Sequence, residues 1–247
     1  MTGKQIRMRR IFKNDGKSVI AALDFGLFQG TVKGLENARE AVQKVVDGGA
    51  DAIIMSPGFA KATWDIYAGK AALILRVTAG RSKFNTAKNG HILITSVEEA
   101  VALGADAIMN MVFIGADEEQ EMFELMKELS EKCMRYGIVL FTELLPANFD
   151  DPFNPDWIDS CIRLGFEHGA DAVKTYYASE NYESMVRNCP VPVVMAGGPK
   201  TSDFYEMVEN AIRSGAAGVA IGRNVYGSEN PQETVSKLVS IVHGKQD

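Results

Sequence analysis

The sequence predicts an α/β protein that folds as a single (β/α)8 TIM barrel spanning residues 1–247. Short apolar runs alternate with amphipathic stretches along the whole chain, which is typical of repeated βαβ units and a parallel sheet. The length of 247 residues is close to the ~250 residues typical of such a barrel. A doubly wound open sheet is the main alternative. The last predicted strand favours closure, because Gly218, Ala220 and Gly222 share one nearly bare face, which suits a crowded barrel interior.

The boundaries of the units follow from residues that end helices and open strands. Glycine often ends a helix, and it follows the predicted helices at Gly104, Gly137, Gly169 and Gly215. The predicted strands are Val19–Asp24, Ala52–Met55, Ala72–Arg76, Ala107–Val112, Ile138–Leu144, Asp171–Thr175, Pro192–Ala196 and Gly218–Gly222. The predicted helices are Leu35–Asp47, Phe59–Ala68, Val97–Leu103, Glu118–Tyr136, Trp157–His168, Glu180–Arg187, Asp203–Ser214 and Glu233–Val242, with a short helix beginning near Gly222.

Composition and charge exclude several classes of function. The net charge of −6 and the absence of a basic stripe argue against nucleic-acid binding. No apolar run has the length of a signal peptide or a membrane span. The three cysteines are dispersed without Cys-x-x-Cys spacing, and only three histidines occur. This pattern predicts a cytoplasmic enzyme with reduced thiols and no metal site.

A repeated short pattern places a lysine where an apolar strand residue is expected. The segments GADAII at 49–54, GADAIM at 104–109, GADAVK at 169–174 and GAAGVA at 215–220 each close a helix and open a strand. Superimposed, they align Lys174 with Ile54, Met109 and Ala220, so its position is predicted to be buried. Proteins keep a buried lysine where an uncharged amine has to attack a carbonyl. In this chain the amine of Lys174 is expected to lie between apolar walls. The alternative is a strand-tip lysine whose ammonium reaches solvent or a carboxylate.

Two glycine-rich loops are candidates for binding a phosphate. One loop, Ala196–Ser202, follows the seventh predicted strand, and the other, GRN at 222–224, follows the eighth. Glycines let backbone N–H groups approach an anion, and TIM barrels frequently bind a substrate phosphate between these two loops. Lys200 is a further source of positive charge. The alternative is that the glycines only make turns. The predicted phosphate ligands are Gly197, Gly198, Gly222 and Arg223.

Three further segments lie at the same ends of the predicted strands. Asp24 ends the first strand, where a carboxylate can orient substrate hydroxyls, hold Lys174 by charge or cap a loop. The segment Arg76–Phe84 carries three positive charges, which fits a second anion site or a solvated surface. The long loop from Pro146 to Trp157 fits either a stiff lid or a surface excursion.

Five segments in this order carry a family resemblance: DFGLFQG at 24–30, LRVTAG at 75–80, VKTYY at 173–177, CPVPVVMAGG at 189–198 and GVAIGRN at 218–224. Together they resemble the class I aldolases of the archaeal fructose-bisphosphate type, within the group that includes deoxyribose-phosphate aldolase. The chain resembles most the branch of the thiolase that processes phosphorylated autoinducer-2. The resemblance implies a Schiff base on Lys174, substrate contact through Asp24, phosphate binding by both glycine-rich loops, and a homo-oligomer, with decamers among the assemblies.

Two departures from the family pattern concern proton transfer. Phe25 stands where the family commonly has a histidine, and Leu145 stands where its aldolases have a proton-transferring tyrosine. Glu143 and Tyr176 are candidates to move the proton instead, because Glu143 shares strand parity with Leu145, and Tyr176 with Lys174. The alternative for both is an ordinary side chain at a strand end.

The predicted function is that of a lysine-dependent, Schiff-base carbon–carbon lyase or transferase acting on a phosphorylated keto-sugar or related phosphorylated ketone. No metal or dissociable cofactor is expected, and acetyl-CoA or CoA is a partner only if the transfer is of the thiolase type. Two alternatives stay open: an imine-independent epimerase or isomerase, and a phosphosugar-binding barrel without aldolase activity. The predicted catalytic residues are Lys174, Asp24, Glu143 and Tyr176.

Overall fold

The computed structural model describes residues 2–85, 90–198 and 202–244, in which eight parallel strands close into a barrel. Numbered β1 to β8 along the chain, they are Ser18–Ala22, Ala52–Met55, Ala72–Arg76, Ala107–Ile114, Val139–Pro146, Ala172–Thr175, Val193–Ala196 and Gly218–Ile221. Around the barrel the order is β1-β8-β7-β6-β5-β4-β3-β2, and β1 pairs with both β8 and β2. The predicted (β/α)8 barrel is confirmed, and the open sheet is wrong.

Helices alternate with these strands and pack around the barrel. The predicted helices are present as Ala38–Asp47, Pro57–Tyr67, Val97–Ala102, Glu119–Tyr136, Pro155–Glu167, Tyr182–Arg187, Phe204–Arg213 and Pro231–His243. The short helix expected near Gly222 spans Arg223–Tyr226, and an additional short helix, Gly26–Gln29, was not predicted. Within the described ranges, no helix combines the length and apolar character that crossing a bilayer requires.

Local sequence explains where several of these helices begin and end. The side chain of Asn37 accepts hydrogen bonds from the backbone N–H groups of Arg39 and Glu40, and Ser96 caps its helix through Glu99 in the same way. Gly137 ends the helix Glu119–Tyr136 with a φ of 64°, a left-handed conformation that favours glycine. Asn37 and Ser96 thus bind free backbone N–H groups at the start of their helices, and Gly137 ends its helix so that the chain can turn back into the next strand.

Alternate residues of the strands face either the barrel interior or the surrounding helices. Met109 and Ala220 belong to the buried cluster inside the barrel, whereas Val219 packs in the larger cluster beneath the helices. Ala172 is also in the inner cluster, and Lys174 lies two residues further along the same strand. The predicted inward orientation of Lys174 is confirmed.

A basic helix that was not predicted, Thr2–Ile11, lies against the N-terminal ends of the strands. Its cations contact aspartates of the repeated GADA pattern. Lys4 Nζ lies 2.6 Å from Asp171 Oδ2, and Arg10 Nη1 lies 3.0 Å from Asp106 Oδ1. These aspartates stand immediately before β6 and β4, so the repeat anchors the helix to the face opposite the carboxyl ends of the strands.

The third aspartate of the repeat joins the last helix to the same face. His243 Nε2 lies 2.8 Å from Asp51 Oδ2, and its Nδ1 lies 2.7 Å from Asp15 Oδ2. Asp51 also accepts a hydrogen bond of 2.7 Å from the backbone N–H of Val19, and Lys13 Nζ is 3.6 Å from its Oδ1. The carboxylate of Asp51 thus links β1, β2 and the last helix.

The connection between β3 and β4 contains a small ribbon outside the barrel. Thr78–Ala79 pairs antiparallel with Ile92–Leu93, and the sequence pattern did not predict this pairing. The ribbon brings His91, which immediately precedes its second strand, back to the carboxyl ends of the barrel strands, where it lines the cavity described below.

Candidate active site

Lys174 lies on the inner face of β6 and is 5% exposed, so its predicted burial is confirmed. It is in register with Glu143 on the neighbouring strand β5, and its Nζ lies 2.7 Å from Glu143 Oε1. The expectation of apolar walls around the amine is therefore wrong at the nitrogen itself. The carboxylate offsets the cost of burying an ammonium, which apolar walls cannot do.

Arg76 is the site residue that sequence reasoning missed. It ends β3, is 1% exposed, and donates from Nε to Asp24 Oδ2 at 2.6 Å. Its Nη2 donates to Glu143 Oε2. The segment Arg76–Phe84 was interpreted as one charge run, but its first charge is buried while Arg81 and Lys83 are exposed. The available signal was the alternation of side chains along the strand. Arg76 lies two residues after Ile74, which belongs to the inner cluster, so its side chain is expected to face inward as well.

The four groups form one buried chain of charges, in the order Asp24, Arg76, Glu143 and Lys174. Burial alone would raise the pKa of the Glu143 carboxyl, but the charges of Lys174 and Arg76 outweigh burial and lower it to about 2. Burial likewise opposes the charge of Arg76, yet Asp24 and Glu143 raise the pKa of its guanidinium. At neutral pH Glu143 is therefore an ionised carboxylate beside the lysine.

Asp24 was expected to orient substrate, hold Lys174 or cap a loop. The structure pairs its carboxylate with Arg76 instead, and the link to Lys174 runs through Arg76 and Glu143. Asp24 is 6% exposed and lines the same cavity as Lys174. The direct ion pair with the lysine, which was one of the expectations, is replaced by an indirect connection through Arg76 and Glu143. Contact of Asp24 with a substrate stays a prediction.

The two glycine-rich loops meet at the ends of β7 and β8. Asn224 Nδ2 donates to the carbonyl of Gly197 at 3.5 Å, which joins the loops. Gly198 has a φ of 62°, and a Cβ on this residue would lie 3.3 Å from Phe153. The left-handed backbone conformation favours glycine at this position, and an added Cβ would also be in tight contact with the ring of Phe153. Lys200 lies outside the described residues.

One cavity of about 300 Å³ opens at the carboxyl ends of the strands. Active sites of TIM barrels are built at this end. Phe149 and Pro152 of the long loop after β5 also line it, so this loop borders the cavity. The structure brings together in its lining all the residues that the sequence predicted for the site: Lys174, Asp24, Glu143, Tyr176, Gly197, Gly198, Gly222 and Arg223.

Tyr176 and Leu145 also line the cavity. Burial raises the pKa of Tyr176, and the charge of Glu143 adds to the effect. The phenol therefore keeps its proton at neutral pH and can act as a donor. Leu145, 8% exposed, fills its position with an apolar side chain, so Glu143 and Tyr176 are the candidates that the cavity offers for proton transfer.

Comparison with known proteins places this geometry in a family. The model of the DeoC/LacD family aldolases matches residues 18–228. A 2-amino-3,7-dideoxy-D-threo-hept-6-ulosonate synthase from Archaeoglobus fulgidus is 41% identical over 246 residues, which are 99% of this chain and 92% of that protein. A 3-hydroxy-5-phosphonooxypentane-2,4-dione thiolase from Yersinia pseudotuberculosis is 30% identical, over 99% of this chain and 84% of that protein.

A solved structure agrees in fold over nearly the full length. It is an archaeal fructose-1,6-bisphosphate aldolase with its catalytic lysine covalently bound to the carbinolamine intermediate of the substrate. The two structures superimpose with a TM-score of 0.88 at 29% identity, covering 98% of this chain and 100% of the other. The match of the family model and the extent of these similarities show that the chain belongs to the DeoC/LacD family of aldolases.

Proposed function

We propose that this protein is a class I aldolase in which Lys174 forms a Schiff base with a phosphorylated ketone. The observation that carries the proposal is the position of one amine. Lys174 Nζ is buried, lies 2.7 Å from an ionised carboxylate, and faces a cavity that two glycine-rich loops also line. The covalently bound lysine of the archaeal aldolase supports the assignment by similarity.

Formation of the imine begins with loss of a proton from the lysine. Glu143 Oε1, at 2.7 Å, accepts this proton. The neutral amine attacks the ketone carbon, and a proton moves from nitrogen to the ketone oxygen, which gives the carbinolamine. Glu143 returns its proton to the hydroxyl, which leaves as water. The product is an iminium that carries the positive charge formerly on the ammonium.

Cleavage uses the iminium as an acceptor of electrons. A base removes the proton from the hydroxyl of the carbon that will leave, and the oxygen forms the carbonyl of an aldehyde. The electrons of the breaking carbon–carbon bond move toward the iminium nitrogen, giving a neutral enamine. The enamine carbon then takes a proton, which regenerates an iminium, and water hydrolyses this iminium to the product ketone and the lysine ammonium. We assign the base to Glu143, with Asp24 orienting the hydroxyl. Tyr176 donates the proton to carbon, and the proton that Glu143 took from the hydroxyl then restores the phenol of Tyr176.

The substrate phosphate is proposed to bind between the loops after β7 and β8. Backbone N–H groups at Gly197, Gly198 and Gly222, with the guanidinium of Arg223, are the kind of donors that hold a phosphate. Binding there acts away from the breaking bond and positions the ketone carbon near Lys174. TIM barrels frequently use these two loops for the same purpose.

The test is reductive trapping. The protein is incubated with dihydroxyacetone phosphate, reduced with sodium borohydride, and digested for peptide mass spectrometry. The expected result is a stable adduct on Lys174, which is lost in Lys174→Met. A Lys70→Met variant, changed at an exposed lysine, is the matched control and should keep the adduct.

The same experiment separates the two alternative functions. Saturable binding of phosphorylated ketones without an adduct favours a phosphosugar-binding barrel. Isomerisation or epimerisation without an adduct favours a base mechanism at Asp24 or Glu143. Either outcome, repeated over a panel of phosphorylated ketoses, overturns the proposed Schiff base.

Two finer points stay predictions implied by the family resemblance. A homo-oligomer is tested by light scattering of the purified protein. A thiolase-type transfer is tested by looking for an acyl product that appears only when coenzyme A is added.

A further inference from the structure

Four aromatic rings form a continuous row along one side of the cavity. The ring centroids of Phe28 and His91 are 5.6 Å apart, those of His91 and Phe113 are 5.6 Å apart, and those of Phe113 and Phe149 are 6.1 Å apart. All four residues line the cavity that contains Lys174. We call Phe28, His91, Phe113 and Phe149 the aromatic wall.

The closed barrel places the centre of this wall opposite the glycine-rich loops. In the strand order β1-β8-β7-β6-β5-β4-β3-β2, β4 lies across from β8, and β3 lies across from β7. Phe113 is near the end of β4, and His91 is in the connection from β3 to β4. A ketone bound to Lys174 with its phosphate at Gly197 and Gly222 therefore extends its other end toward the wall.

The charges around the cavity are unevenly distributed. Among the described residues that line it, the lysine and arginine side chains are Arg76, Lys174 and Arg223. The first two are paired with buried carboxylates, and Arg223 belongs to the loop after β8. The wall itself thus adds no lysine or arginine from the described parts of the chain.

His91 is the polar member of the wall, and it is neutral. Burial, together with the charge of Arg76, lowers the pKa of its imidazole to about 4. Its Nδ1 is buried and has no hydrogen-bond partner within the described segments. The wall therefore presents three phenyl rings and one uncharged imidazole ring.

We infer that the aromatic wall is the subsite for the substrate fragment released as the aldehyde, and that this fragment is uncharged and mainly apolar. The inference rests on the proposed function, because it takes the ketone bound to Lys174 as its reference. An apolar fragment gains contact with the four uncharged rings of the wall. A phosphate would lose its hydration against rings that supply no cation. The substrate accordingly carries one phosphate, at the glycine-rich loops.

The test compares acceptors in the synthetic direction. With dihydroxyacetone phosphate as donor, kcat/KM is measured for propanal, phenylacetaldehyde and glyceraldehyde 3-phosphate, from the mass of the carbon–carbon product. We expect the two uncharged aldehydes to exceed the phosphorylated one by at least tenfold. A preference for glyceraldehyde 3-phosphate overturns the inference.

Charge introduced at the wall should reverse the preference. Phe149→Arg, at a ring that is 62% exposed and so tolerates a polar side chain, is expected to shift the ratio at least tenfold toward glyceraldehyde 3-phosphate. Trp64→Arg, at a ring that is 63% exposed on the outer helix Pro57–Tyr67, makes the same change away from the cavity and should leave the ratio unaltered. An unchanged ratio in Phe149→Arg also overturns the inference.

Reductive trapping distinguishes the two possible failures. If wild-type protein gives no adduct with dihydroxyacetone phosphate, the proposed function fails and the subsite fails with it. If the adduct forms on Lys174 but the phosphorylated aldehyde is the better acceptor, the aldolase assignment stands and the aromatic subsite alone is wrong. The adduct also shows that each variant keeps a folded site.

Discussion

Lys174 and Glu143 form an ion pair of 2.7 Å in which each side chain is 7% exposed. Burying such a pair costs free energy, and further hydrogen bonds to the charged groups offset that cost. Arg76 provides one of them and continues the chain to Asp24. Two cations and two carboxylates balance, so a single substitution leaves one buried charge without its partner.

Glu143→Gln removes the carboxylate that we propose as the proton acceptor of the lysine. We expect the rate of adduct formation with dihydroxyacetone phosphate to fall by about 10²- to 10⁴-fold, as is typical when a general acid–base group is lost. The free energy of unfolding should fall by about 3–5 kcal/mol, because Lys174 and Arg76 lose a shared partner. Borohydride quenching at timed intervals measures the rate, and urea unfolding measures the stability. Glu121→Gln, on the exposed face of a helix, is the control, and wild-type trapping kinetics in Glu143→Gln would rule out the assigned role.

Arg76→Met should change how stability depends on pH. In the wild type, the pKa of Glu143 is lowered from 4.5 to about 2, so its stabilising effect is present above pH 4.5 and is lost as the pH falls toward 2. Without the guanidinium, only Lys174 opposes the effect of burial, so the pKa of Glu143 in the folded state rises from its wild-type value and the free energy of unfolding should fall less steeply from pH 5 to pH 2. Urea midpoints at several pH values measure the slopes. Arg81→Met, at an exposed arginine, is the charge-matched control; parallel curves for wild type and Arg76→Met would contradict the prediction.

Arg223→Ala should weaken binding of the phosphate specifically. A hydrogen bond to a charged group contributes about 1.5–3 kcal/mol, so KM for a phosphorylated ketone should rise by about 10- to 100-fold. Dihydroxyacetone, which has no phosphate, should be used by the variant as by the wild type. Arg213→Ala, at the end of the helix Phe204–Arg213, serves as the control. Equal losses for both ketones would show that Arg223 does not contact the phosphate.

His243 should make stability depend on pH near neutrality. The hydrogen bond with Asp51, and then that with Asp15, raises the pKa of the imidazole in the folded state above 6.5. The stabilising effect is therefore fully present below pH 6.5 and is lost as the pH rises through the folded-state pKa. Thermal unfolding of the wild type and of His243→Gln from pH 5 to pH 9 measures it, and the difference between them should shrink with rising pH. His168→Gln is the control, because it makes the same change at a histidine whose ring stacks on that of Phe123, with the two ring centroids 3.9 Å apart. A difference that grows with pH would reverse the sign of the prediction.

The position of Lys174 could be predicted because it depends on the periodicity of the strands. The repeat that begins with Gly-Ala fixes the phase of the four strands that it opens, and that phase gives their inward face without any knowledge of neighbours. The partners of the lysine could not be obtained in this way. Glu143 follows from the lateral register of β5 and β6, a property of pairing between segments that are distant along the chain.

Arg76 and the first helix were missed for different physical reasons. Arg76 lies close in sequence to Arg81 and Lys83, and this run of charges suggested that its side chain is exposed to solvent. Its place in the alternation of the strand indicated instead that the side chain faces the barrel interior. The helix Thr2–Ile11 has no clear apolar stripe, because ion pairs such as Lys4 with Asp171 hold it to the barrel. The evidence for this helix lay in the aspartates of the repeat. The sequence pattern alone did not show that these aspartates pair with lysine and arginine side chains far away in the chain.

The contacts of Lys4 with Asp171 and of His243 with Asp51 have a practical consequence. Both hold an end of the described chain to the same face of the barrel, on the side away from Lys174. A tether attached at either end of this sequence would leave the substrate entrance unobstructed. The protein can accordingly be immobilised on beads or joined to a second enzyme through either end, with the cavity that contains Lys174 still open to the medium.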